Sequence, residues 1–379
     1  MNCSNEIEWG YYAANVFKND CTIFYNQGAQ LILDAEFSLN QRLYKRALDS
    51  VKEDGGSHVP AQTDVTVRRT CSRCQLCEIC DCSKKFLRFP SKSSAQVSWV
   101  NKMNNKTLTK HSNVYHEAII TSRYDDHNPF FHLSLLMNAW SIRNRLSFNH
   151  TTVMVLGEKI VQNLDNLWSS LFRANVLYTE DLPDKFFVKR AWFVRSEYRS
   201  PIMRELDSTY LSCNRRSNMI KSFFSDAVNA LSASNKMQEQ ITFIKREFYK
   251  VKGKSRQIGR RLLNEDKIIE ATQNLFPDIK INQVLMENLS QREQVAIMQK
   301  SKVVIGMHGA GMVNVGFMHP GATVIEIFPK FKRRYGYRNL CAYLGIKYHE
   351  YRGGIDNRNM DKTLNANEWE KYVRGKIDV

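Results

Sequence analysis

The chain has 379 residues, 43% hydrophobic and 11% aromatic, and its 55 Lys and Arg outnumber 38 Asp and Glu for a formal net charge of +17. That apolar content suffices for buried cores and excludes global disorder. The 17 Gly and 8 Pro exclude collagen-like and low-complexity classes, and a mean hydropathy of −0.45 excludes a transmembrane bundle.

At ~150 residues per domain the length suits two or three domains. No stretch approaches the ~18 to 20 uninterrupted apolar residues of a membrane span. The opening MNCSNEIEWGYY has no basic region followed by an apolar core, so no signal peptide is visible. Residues 1–70 show weak periodicity, and 53–64 (EDGGSHVPAQTD) reads as a linker. Five of the nine cysteines, Cys71, Cys74, Cys77, Cys80 and Cys82, form one ladder; the others are Cys3, Cys21, Cys213 and Cys341. Four thiolates can hold zinc or an iron–sulfur cluster, but the ladder lacks a second, separate pair and favours a disulfide knot. Asn2, Asn105, Asn149 and Asn288 each open an Asn-x-Ser/Thr sequon, which favours a lumenal chain. A short strand is predicted at Lys84–Pro90.

From Val114 the pattern becomes α/β. HEAIITS predicts a strand, then Asn128-Pro129 a helix start with cap and first-turn proline, continued by an apolar helix. VMVLG (153–157) predicts a buried strand, LDNLWSSLF a helix, FFVKRAWFV a strand and 215–235 a helix that could link two domains. A second series follows: strand 241–246, helix 264–276 ending before Pro277, strand IKINQVLM, a helix capped by Ser290, the strand VVIGM, and strand 322–328. Strands alternating with helices predict parallel sheets, here in two doubly wound domains with a cleft between them.

Two segments carry chemistry. In VVIGMHGAGMVN a buried strand runs into Gly309-Ala310-Gly311 and a predicted helix, a place where backbone N–H groups can approach a phosphate. Such a turn also serves simple strand–helix packing, and His308 within it is a ligand contact or a structural histidine. Residues 245–261 hold eight Lys and Arg against Glu247 alone. Arg246 ends a strand and Arg261 precedes a helix, so both can reach the sheet's C-terminal edge, where open α/β sheets bind ligands. Arginine meets phosphate oxygens bidentately. Glu326, ending an apolar strand, could hydrogen-bond a ribose or pair with a neighbouring cation.

IGMHGAGMVNVGFMHPGATVIEIFP resembles the signature of glycosyltransferase family 61, and RRLLNEDKI resembles its Arg-x-x-Asn-Glu helix start. FIKREFYKVKGKSRQIGRRLLNED is most similar to the β-1,2-xylosyltransferase branch, as are LDNLWSSLF, FFVKRAWF and Cys213; Cys71 and Cys77 resemble the branch's Cys-x5-Cys element. The resemblance spans about residues 71–352. It implies an α/β GT-B fold, two Rossmann-like domains facing a cleft, with a Cys-bearing N-terminal segment. The segments would be 1–110 (Cys-rich element), 111–235 (acceptor side), 236–350 (UDP-sugar side) and 351–379 (C-terminal tail). It implies an inverting transfer of xylose from UDP-xylose to the core β-mannose of a glycoprotein N-glycan, in the Golgi or ER lumen. The donor-binding residues would be Arg246, Arg261, Asn264, Glu265, His308, Gly309, Ala310, Gly311, Asn314 and Glu326. Such enzymes usually carry a type II membrane anchor, which this sequence does not show.

Inverting transfer needs a base for the acceptor hydroxyl and positive charge for the departing diphosphate. Two arginines and a glycine turn supply the charge without a metal, so no cofactor is expected. For the base, the family pattern pairs an aromatic-His segment with an Asp four residues on; His132 matches, but Leu136 stands in the acid's place. Asp126 and His132 are the catalytic candidates, with Asp125 beside them. A zinc-bearing nucleic-acid binder, an inactive sugar-binding lumenal protein and the family's O-GlcNAc transferase branch are the rival readings. The basic run beside a phosphate-binding edge favours a UDP-sugar over nucleic acid as the anionic partner.

Overall fold

A computed structural model describes residues 29–39, 63–69, 95–100, 113–122, 128–140, 151–156, 165–194, 218–247, 249–251, 254–256 and 259–377. The chain divides between Met203 and Arg204 into an N-terminal and a C-terminal unit. Both are α/β with parallel strands.

The N-terminal unit carries a seven-stranded sheet in the order β3-β2-β1-β7-β4-β5-β6. Its strands are β1 (Ala29–Leu39), β2 (Thr63–Arg69), β3 (Ala95–Val100), β4 (Val114–Ser122), β5 (Thr151–Leu156), β6 (Asn175–Tyr178) and β7 (Lys185–Val194). Strands β7, β4, β5 and β6 run parallel. β1 adds antiparallel to β7, pairing Ala29 with Val194 through Ser38 with Lys185. Residues from the weakly periodic N-terminal stretch therefore extend this sheet rather than stand apart from it. Helix α1 (Pro129–Trp140) starts where the sequence places it, with Asn128 Oδ1 accepting from Phe130 N at 3.1 Å. It is buried nearly all round, from Phe130 through Ala139, as its apolar sequence requires. Helix α2 (Asp165–Phe172) buries Trp168 and Phe172, whose rings stack at 5.7 Å.

In the C-terminal unit, α3 (Asn218–Ala230) comes first. Five parallel strands follow in the order β11-β8-β12-β13-β14: β8 (Gln238–Ile244), β11 (Lys280–Val284), β12 (Ser301–Met307), β13 (Thr323–Ile327) and β14 (Lys347–Tyr351). The basic loop after β8 holds a small hairpin, β9 (Tyr249–Val251) with β10 (Lys254–Arg256). Helices α4 (Glu265–Leu275) and α5 (Gln291–Lys300) cross between strands. Ser290 caps α5 in a full capping box with Glu293, two donors satisfied reciprocally. The glycine segment continues as a long 3-10 helix, Ala310–Phe317, rather than the expected α-helix. α3 packs on it inside this unit: Phe224 meets Phe317 edge-on at 5.1 Å, and a Cβ on Gly316 would lie 2.3 Å from the Phe224 ring. It belongs to this fold and is not a connector.

Past β13 come α6 (Gly336–Leu344), which encloses the unpaired, buried thiol of Cys341, β14, the pair β15 (Ile355–Asp356) and β16 (Lys362–Thr363), and α7 (Ala366–Arg374). Residues 351–377 are thus integral to the unit. Trp369, Val373 and Ile377, four residues apart, present one apolar stripe to the core of Ile241, Ile268, Val303, Ile305 and Ile325. Trp369 Nε1 donates to Thr272 Oγ1 of α4 at 2.9 Å.

Among the described residues no helix is long and apolar enough to cross a membrane. The cysteines other than Cys341, the sequons at Asn2, Asn105 and Asn149, and the Lys84–Pro90 strand lie outside the described residues.

Candidate active site

The strand order β11-β8-β12-β13-β14 reverses direction between β8 and β12. Open α/β sheets bind ligands at the carboxyl ends of the strands flanking such a reversal. The parallel register brings Ile244 beside Gly306 and Met307 beside Ile327. Arg246, His308-Gly309 and Phe328 therefore emerge at one edge.

Arg246 leaves β8 and lies across the glycine turn. A Cβ on Gly309 would stand 1.7 Å from Arg246 Nη1, so the absence of a side chain lets the guanidinium settle against that backbone. Arg246 Nη2 donates to Gly259 O at 3.4 Å. Tyr337, from α6, donates its hydroxyl to Gly309 O at 2.8 Å and Ala310 O at 3.4 Å. Burial pushes this phenol well above the usual tyrosine range, Glu326 adds to the shift, and Arg246 and Arg260 oppose it. Tyr337 thus stays neutral and donating, and two guanidiniums act on it from nearby.

Arg260 was not singled out by sequence. Burial pulls it below the usual arginine range, while Tyr337 and Glu326 push back, so it lies close enough for both to act on it. It remains a cation, as arginine does in proteins. Its backbone is left-handed at φ 67°, a conformation that costs a non-glycine residue about 1–2 kcal/mol. A strap from the far end of the chain holds it there. Arg260 N donates to Asn359 O, Lys362 N to Arg261 O and Leu263 N to Lys362 O.

The same strap takes Arg261 the other way. Arg261 N and Nη2 both donate to the buried carboxylate of Asp361, at 2.8 and 3.1 Å. Asn264 is likewise structural, its side-chain amide bonding both backbone groups of Leu364. Glu265, at the start of α4, lies 3.6 Å from Lys245 Nζ; burial outweighs that cation and raises its carboxyl to about 7.

His308 is buried, its Nδ1 2.5 Å from Glu326 Oε1, and its ring stacks on Phe328 at 4.6 Å. The other oxygen of Glu326 accepts from Tyr348 at 2.6 Å. Both carboxylate oxygens are engaged within the fold, so Glu326 orients His308 and is 1% exposed. A Cβ on Gly311 would meet Ile244 and Met286 at 3.8 Å, an ordinary van der Waals contact, so this position does not demand glycine for space. Asn314 supports the turn from beneath, donating to Gln294 Oε1 and Gly311 O. The structure thus gathers Arg246, Arg260, His308, Gly309, Ala310, Tyr337 and Glu326, with Gly311 and Asn314 behind them. It turns Arg261 and Asn264 onto the strap.

In the N-terminal unit, His132 is 4% exposed and its Nε2 accepts from Trp168 Nε1 at 3.0 Å. An indole nitrogen only donates, so this ring nitrogen holds a lone pair and the neutral ring's proton sits on Nδ1. That commits His132 to packing, contrary to its expected place as a base. Asp125 and Asp126 lie outside the described residues, and Leu136 is fully buried.

The profile of the glycosyltransferase 61 family matches residues 116–325. Among curated relatives, the chain is 23% identical over 262 residues to the β-1,2-xylosyltransferase RCN11 of Oryza sativa subsp. japonica, covering 61% of this chain and 48% of that protein. It is 24% identical over 128 residues to the β-1,2-xylosyltransferase of Arabidopsis thaliana, covering 31% of this chain and 24% of that one. It is 29% identical over 123 residues to the EGF domain-specific O-linked N-acetylglucosamine transferase of Xenopus laevis, covering 32% and 23%. The chain therefore spans about half the length of the first of these relatives and less of the other two. A profile match over more than half of the sequence leads to one statement: this chain belongs to glycosyltransferase family 61.

Proposed function

We propose that this chain is an inverting glycosyltransferase of GT-B type that moves xylose from UDP-xylose to the core β-mannose of glycoprotein N-glycans. The observation that supports a UDP-sugar donor is the Arg246 guanidinium seated against the Gly309 backbone at the strand reversal, with Arg260 near enough to act on Tyr337, which donates to that turn. The choice of xylose is supported by the two relatives named as β-1,2-xylosyltransferases.

In the reaction, the acceptor hydroxyl oxygen attacks the anomeric carbon from the face opposite UDP. The bond from that carbon to the diphosphate oxygen breaks, its electron pair leaves with UDP, and the acceptor proton passes to a base. Arg246 and Arg260 stabilise the charge gathering on the diphosphate. Tyr337 holds the turn's carbonyls away from that charge by occupying them. Glu326 fixes the ring of His308 at the same edge. Asp126 is the proposed base, since the lone pair of His132 is engaged with Trp168. With two guanidiniums on the diphosphate, turnover is expected to persist in EDTA; loss restored by manganese would overturn this metal-free reading. The proposed setting is the Golgi or ER lumen, with a disulfide-bearing Cys ladder. The partners are the sugar nucleotide and a glycoprotein, not nucleic acid.

A second reading has a specific support: identity to the O-GlcNAc transferase of Xenopus laevis is higher, though over fewer residues. One donor panel separates the two. UDP-xylose, UDP-GlcNAc and UDP-arabinose are offered with a trimmed N-glycan, and transfer from UDP-xylose is expected to dominate. Preference for UDP-GlcNAc would replace the xylosyl reading, and UDP binding without any transfer would mark an inactive member. Asp126→Asn with near-normal turnover would remove Asp126 as the base.

A further inference from the structure

The loop after β13 has a feature that the donor site does not use. Its backbone is tightly fastened. Arg352 Nη1 donates to three of its carbonyls, Pro329 O at 3.1 Å, Lys330 O at 3.1 Å and Lys332 O at 2.7 Å. Lys330 N donates to Asp356 Oδ2 at 2.6 Å, and Lys332 N to Pro329 O at 3.1 Å. Yet Phe331, in the middle of this loop, is 88% exposed, whereas Phe328 at its start is buried. Ile355, also in this corner, is 78% exposed. Each is the chain neighbour of one partner in the Lys330–Asp356 hydrogen bond, Phe331 following Lys330 and Ile355 preceding Asp356. A rigid loop that holds an aromatic ring in water gains nothing for folding from that ring.

The loop is also joined to the site. Phe328 stacks on His308, and the Arg352 guanidinium lies 4.7 Å over the Phe328 ring before reaching the loop's carbonyls. Phe331 lies three positions after Phe328, so their Cα atoms are at most about 11 Å apart. That distance is on the scale of one or two sugar rings. Lys330 Nζ stands 5.7 Å from the Phe331 ring centre, and Arg333 follows two residues on, both able to donate to sugar hydroxyls. An aromatic face is electron-rich and receives the polarised C–H groups of a pyranose ring as it receives cations.

We propose that Phe331 is a platform on which a sugar ring of the carbohydrate acceptor stacks while the neighbouring sugar is held for transfer. The platform rests on the glycosyltransferase reading of the edge at His308 but not on the identity of the donor sugar. An anionic membrane surface, which also suits an exposed Phe beside cations, is the competing occupant. It is disfavoured because the loop is tethered to the residues of the donor edge.

The test uses the full chain as wild type, Phe331→Ala and Phe331→Trp. Glycan binding is read on a panel of immobilised oligosaccharides that includes the trimmed N-glycan. UDP binding is read by calorimetry, and vesicle binding by flotation with phosphatidylcholine–phosphatidylserine. Phe331→Ala is expected to weaken glycan capture at least tenfold, leave UDP affinity within twofold, and keep the melting temperature; Phe331→Trp retains capture. Unchanged capture in Phe331→Ala, no glycan bound by wild type, or a loss confined to vesicles would each overturn the platform. If capture moves to a glycan other than the N-glycan but still depends on Phe331, the platform stands and the xylosyl assignment falls.

Discussion

His132 in the N-terminal unit and His308 in the C-terminal unit are almost equally buried, at 4% and 7% exposed. Each has a ring nitrogen in a hydrogen bond with another buried side chain. The partners differ in kind. His132 accepts from the indole of Trp168, a pure donor, and its lone pair is used up inside a hydrophobic core. His308 faces the carboxylate of Glu326, a group that only accepts when ionised, and sits at a strand end next to Gly309, against which Arg246 lies. Burial alone would rank these histidines the same; the chemistry of the partner separates a packing ring from a site ring.

The strongest way to break that contrast is to remove the charge around His308. Arg246→Ala and Arg260→Ala are each expected to lower turnover by about 10²–10³-fold, with folding retained by circular dichroism. A tenfold smaller effect for Arg260 than for Arg246 would demote Arg260 to a structural role. Next comes Gly309→Ala, whose new methyl meets the end of the Arg246 side chain. UDP affinity should fall, and far less so in an Arg246→Ala background. A double-mutant coupling of about 0.5–3 kcal/mol is expected; additive losses would separate the two residues. On the N-terminal side, Trp168→Phe withdraws the donor from a buried acceptor. Stability should drop by about 1–3 kcal/mol in urea unfolding while turnover per folded molecule is kept. A selective loss of turnover would return His132 to the chemistry.

The smallest effect concerns pH. Burial raises the Glu265 carboxyl from 4.5 to about 7 in the folded chain. The folded state therefore holds this proton more tightly than the unfolded chain does. Its contribution is present below pH 4.5 and is lost as pH rises through 7. Melting temperature should decline less between pH 5 and 8 in Glu265→Gln than in wild type. Parallel slopes would show that Lys245 offsets the burial.

Much of the C-terminal unit was legible in the residues. Strand and helix periods located β8, α4, β11, α5, β12 and β13, and turn composition placed the glycine segment at a strand end. What escaped was set by distant contacts. Arg260 and Arg261 are neighbours with identical side chains, yet Arg261 binds Asp361 while Arg260, left-handed and bonded through its N–H to Asn359, lies near Tyr337 and Glu326. Helix α7 buries just Trp369 and Val373 among Glu368, Glu370, Lys371 and Arg374, so it reads as a tail until Trp369 finds Thr272. In the N-terminal unit the helix start at Asn128 was readable. The partner of His132 was not, because Trp168 lies 36 residues on.

The strap of residues 357–364 has a consequence for biosynthesis. Every side chain expected to meet the diphosphate is made before it, yet the loop bearing Arg260 acquires its shape only when Asn359, Asp361 and Leu364 arrive, about a hundred residues later. A chain halted after β14 would carry all the motif residues and still lack the partners that hold Arg260, Arg261 and Asn264 in place.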